Sequence, residues 1–87
     1  MRNTEFWLKM NRRAINEIDR EIGKLIGDRI KLARHTMELK SEAGLETRDL
    51  KREIQCAMNA QAASRDDSDV AYRVIEAVYV AIFETQI

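Results

Sequence analysis

Arg29 stands where an aliphatic side chain is expected. An apolar series steps through Ile15, Ile18, Ile22 and Leu25, and its next steps fall on Arg29, Leu32 and Thr36. Taking an unpaired guanidinium out of water is costly, so a cation on such a seam needs a reason. Lys40 follows about three helical turns later, on nearly the same face and roughly 16 Å further along. Two cations turned towards one interior suit a small anion. The alternative is that their flexible stems carry the charged tips out to water. Arg12 lies about 100° away from Arg29 around a helix axis. It therefore serves the same pocket only across an antiparallel partner, and an ordinary exposed arginine is the plainer reading.

A second cluster is Arg48, Asp49, Arg52 and Glu53. Spacings of three and four place Asp49, Arg52 and Glu53 on one helical face. Such carboxylates can accept a hydroxyl proton while the guanidinium holds a carboxylate. Equally, Asp49 can cap a helix while Arg52 and Glu53 pair at the surface. Little else has catalytic character. His35 lies off the Arg29 face and is the single histidine, and Cys56 reads as a small buried thiol. No Ser–His–Asp set, glycine-rich phosphate loop or zinc-ligand spacing occurs. A set of metal ligands is accordingly not expected.

The elements that must position these residues are helices. The 87-residue chain has no proline, three glycines and many strong helix formers. Apolar residues at Leu8, Ile15, Ile18, Ile22, Leu25, Ile26, Leu32, Ala33 and Leu39 predict one amphipathic helix from about Thr4 to Glu42. Such a helix is about 57 Å long, whereas a compact chain of this size has a radius of gyration of about 12 Å. Its stripe needs cover from a second copy. Gly23 and Gly27 share a face, where another backbone can approach closely, and Phe6 and Trp7 suit packing on the partner's helix end.

Gly44 marks the helix stop. A second helix is expected from Asp49 to about Ala63, with Leu50, Ile54, Ala57, Met58 and Gln61 inward. The polar run Ser64–Asp69 reads as a turn. A third helix then carries Val70, Val74, Ile75, Val78 and Ile82, with Tyr72 and Tyr79 packing along it. The expected fold is all-α, with three helices per subunit and one very long N-terminal helix, in an intertwined homodimer.

Fifteen basic and fifteen acidic residues cancel. This balance argues against a nucleic-acid partner, which favours a net basic face. Charges interrupt every apolar stretch, so neither a membrane span nor a signal peptide is expected. The lone cysteine suits a reducing compartment, and a cytoplasmic protein is the expectation.

Taken jointly, "RRAINEIDREIGKLIGDRIKLARHTMELK" and the following "RDLKRE" resemble the all-α, AroQ-type chorismate mutases over nearly the whole chain. The resemblance implies a single domain over residues 1–87, folded as an intertwined dimer. It implies rearrangement of chorismate to prephenate in the shikimate pathway of aromatic amino acid synthesis, without metal or cofactor. Arg29 would bind a substrate carboxylate, joined by Arg12 from the other subunit. Lys40 would contact a carboxylate and donate to the breaking ether oxygen. Asp49 and Glu53 would hold the C4 hydroxyl, and Arg52 would complete the cationic wall.

Family members continue about one turn further, to a Gln or Glu that also reaches the ether oxygen. Here Gln86 takes that place after a small shift, or Lys40 works alone. Other readings are an isochorismate pyruvate-lyase, an aminodeoxychorismate mutase-like relative, and a weakly active regulatory dimer. Small mutases of the family can also associate with another shikimate-pathway enzyme.

Overall fold

The structure, a computed structural model, describes residues 3–85. Among these are three α-helices and no strand: α1 (Thr4–Glu42), α2 (Leu50–Ala63) and α3 (Asp69–Glu84). Each begins on a side chain that satisfies an otherwise orphaned backbone N–H. Asn3 Oδ1 accepts from Phe6 N at 3.0 Å, Asp49 Oδ1 from Arg52 N at 3.1 Å, and Ser68 Oγ from Ala71 N at 3.2 Å.

The end of α1 is equally local in origin. Gly44 has φ of 71°, in the left-handed region. Its N–H reaches the Ser41 carbonyl at 3.1 Å, and Leu45 N reaches the Lys40 carbonyl at 2.8 Å. This crossed pair is a Schellman ending, which glycine adopts without the penalty a Cβ would bring. Between α2 and α3, Ser64, Asp66 and Ser68 tie the turn together. Ser64 Oγ donates to the Asp66 carbonyl at 2.8 Å, and Ser68 N donates to Asp66 Oδ1 at 2.9 Å. The backbone N–H of Ser68, helped by its side chain, holds the Asp66 carboxyl below the usual carboxylate range.

The chain divides into two compact units, Met1–Leu32 and Ala33–Ile87, with the boundary inside α1. In the first, every described residue is exposed except the half-buried Ile26, Arg29 and Ile30. Ile15, Ile18, Ile22 and Leu25 all lie open, Leu25 at 64 %. In the second unit α2 packs on α3, and Gln61 Nε2 donates to the Tyr72 carbonyl at 2.9 Å. The one described residue that is buried is Ile82, at 8 % exposure.

The inward faces differ from those expected. On α2 the half-buried residues are Glu53, Cys56, Ala57, Ala60 and Gln61, while Leu50, Ile54 and Met58 are exposed. On α3 the covered face is Ala71, Ile75, Tyr79, Ile82 and Phe83, and Val70, Tyr72, Val74 and Val78 are exposed. Small side chains let the two helices approach. The larger aliphatics form a second stripe, rotated away from the contact within the chain. Tyr79 and Phe83 rings meet with centroids 5.8 Å apart, and Phe6 and Trp7 meet edge-on at 5.3 Å. Cys56 is half-buried rather than buried.

Candidate active site

In the first unit α1 carries Arg12 and Arg29 on different faces. Arg29 is half-buried, beside Ile26 and Ile30 in sequence, and Arg12 is exposed. Arg12 lines a shallow open depression with Glu5, Leu8, Lys9 and Arg13. Three basic residues and one acid make that depression cationic.

The second unit holds the remaining described candidates. Lys40 is half-buried, and its carbonyl takes part in the Schellman ending. Among the described residues its ammonium makes no ion pair. An ammonium with no ion pair of its own is available to an anion from outside the chain.

Asp49 and Glu53 do different jobs, although they flank one helical turn. Asp49 caps α2. Glu53, in the first turn, has a side chain only 15 % exposed and is gripped by Arg48, whose side chain is 51 % exposed. Arg48 Nε donates to Glu53 Oε2 at 3.0 Å and Nη2 donates to Oε1 at 3.3 Å. Sequence spacing gave Arg48 no role. It lies just outside α2, where the rule pairing residues three and four apart does not hold. The signal that could have found it is an arginine immediately preceding a capping aspartate, within reach of the first-turn glutamate.

Arg52 donates its backbone N–H to the Asp49 cap, and its side chain is exposed and makes no ion pair among the described residues. Gln86 lies outside the described residues. The histidine is exposed, with His35 Nδ1 3.9 Å from Glu38. Among the described residues no three His, Cys, Asp or Glu side chains are grouped to hold a metal ion. No helix there is long and apolar enough to cross a membrane.

The family model for chorismate mutase type II matches residues 11–87. The chain belongs to that family. The match covers all of the candidate residues from Arg12 to Gln86. No curated protein and no solved structure matches the chain. A chorismate mutase type II domain is an isomerase domain, and chorismate is the substrate its name implies. In that light the second unit presents an ammonium without an ion pair in Lys40 and a carboxylate held at two points in Glu53. Both suit a small acid that also bears a hydroxyl group.

Proposed function

We propose that this chain rearranges chorismate to prephenate, working as an intertwined homodimer in the cytoplasm. The observation that carries the reading is the family match across residues 11–87. The uncovered apolar face of the first unit, Ile15, Ile18, Ile22 and Leu25, supports a second copy lying along it. Full burial of such side chains contributes about 1.5–3 kcal/mol each.

In this reading Arg29 and the partner's Arg12 bind substrate carboxylate, and Arg52 extends the cationic wall. Lys40 contacts a carboxylate and donates to the ether oxygen. The step breaks the ether C–O bond as a C–C bond forms, through a cyclic transition state in which no proton moves. What the protein must supply is the compact diaxial conformer, and positive charge where negative charge grows on oxygen. Asp49 and Glu53 accept the C4 hydroxyl and so fix the ring. Gln86 reaches the same ether oxygen as Lys40.

The test is chorismate consumption with prephenate identified as product, run beside isochorismate with pyruvate as the readout. Prephenate formation is the expected result. Pyruvate from isochorismate without chorismate turnover would assign the chain to lyase chemistry. Background rates on both substrates would leave a non-catalytic helical protein.

A further inference from the structure

We propose that Arg48 is a positioning residue for Glu53: it clamps the carboxylate in the one orientation that can receive the substrate's hydroxyl. The proposal rests on the reading that Glu53 accepts the C4 hydroxyl of chorismate.

The argument starts from the asymmetry of the pair. Glu53 is 15 % exposed and Arg48 is 51 % exposed. A carboxylate so far removed from water needs a counter-charge, whereas the arginine at the rim needs little help. Both nitrogens used by Arg48 meet different oxygens, at 3.0 and 3.3 Å. This two-point contact fixes the carboxylate plane as well as its charge.

An ionised carboxylate offers about four acceptor positions on its two oxygens. Arg48 takes one on each oxygen, which leaves one on each for a hydroxyl. Substrate can therefore bind without displacing the arginine. The backbone around Arg48 is also fixed. Asp49, the next residue, is extended at φ −125° and ψ 97° and caps α2, and Glu53 N reaches its carbonyl at 3.0 Å. Arg48 and Glu53 thus approach each other from the two sides of a capped helix start, a rigid geometry for aiming a side chain.

The experiment compares Arg48→Met and Arg48→Lys with the parent, on chorismate and on an analogue lacking the C4 hydroxyl. On chorismate Arg48→Met is expected to lose up to about 10²-fold in kcat/KM, the scale of a displaced positioning group. Arg48→Lys recovers part of it, because lysine supplies charge without the two-point fork. On the analogue, parent and variants run at nearly the same rate, since the hydroxyl contact is absent from all. In a Glu53→Ala background, Arg48→Met causes little further loss, the non-additivity expected of residues acting as one unit.

A loss of equal size on the analogue, or losses that add with Glu53→Ala, would make Arg48 a general structural residue and overturn the proposal. So would a chorismate rate unchanged in both variants. Circular dichroism melting controls for folding. Should Arg48→Met fail to fold, the two-substrate comparison on Arg48→Lys decides alone. An inactive parent overturns the functional reading and this inference with it; an active parent with indifferent Arg48 variants overturns this inference alone.

Discussion

Residues 4–32 and residues 33–85 are both helical, yet they treat their apolar side chains differently. In the first unit a continuous stripe of isoleucine and leucine is left open, and half-burial begins only at Ile26. In the second, α2 packs on α3, and Ile75, Tyr79, Ile82 and Phe83 are at least half-buried. A helix without tertiary cover is marginal in water. The second unit carries a modest core of its own, whereas the apolar stripe of the first stays open over Ile15, Ile18, Ile22 and Leu25.

The largest expected effect is therefore a charge in the open stripe. Ile18→Lys should halve the particle mass in sedimentation and lower the helical signal, while the parent's melting temperature rises with protein concentration. A variant with parental mass and ellipticity would break the comparison, because the first unit would then need no cover.

The next effect should leave the mass untouched. Lys40→Ala is expected to lower kcat/KM on chorismate about 10²–10³-fold, with parental sedimentation and melting. Gln86→Ala measured alongside shows whether a second donor shares the ether oxygen. An additional loss of comparable size would support that role, and an unchanged rate would remove Gln86 from the proposed site. Smaller still is the cap of α3. Ser68→Ala should lower unfolding stability by about 1 kcal/mol, read as an earlier denaturation midpoint with the particle mass unchanged.

The smallest concerns the α2–α3 turn. Asp66 has its carboxyl held below the ordinary value by Ser68. A group depressed in the folded state contributes stability above its unfolded pKa, and this is lost as pH falls through the folded one. Asp66→Ala should therefore be less stable than the parent near neutrality. The gap should close on acidification below about pH 4, which a series of melts across that range would show. A gap independent of pH would mean that the carboxylate is irrelevant.

Much of the architecture is legible in the sequence. The extent of α1 follows from the unbroken apolar period and from Gly44, whereas its Asn3 cap is seen only in the structure. Asp49 offers a cap for α2 and the polar run Ser64–Asp69 a turn before α3, and the structure picks Ser68 from that run as the cap. The faces were not legible in that manner. Hydrophobicity at Leu50, Ile54 and Met58 says that these side chains should leave water, without saying whether the cover comes from the same chain. Alanine and glutamine at the α2–α3 contact carry weak signals because close approach, not apolar area, is what they provide. Of the candidate site, Arg29, Lys40 and Glu53 stood out in the sequence by type and spacing. The Arg48–Glu53 pair did not, because it joins a loop residue to a helix across a bend that spacing rules do not describe.

Asp49 has one carboxylate and two proposed employers, the start of α2 and the substrate. A library screened for activity alone would score this position as intolerant for two unrelated reasons, and would overstate its part in recognition. Asparagine caps about as well as aspartate but brings no negative charge. That single replacement separates the two contributions, and it marks the route by which ring selectivity could drift while the helix stays in place.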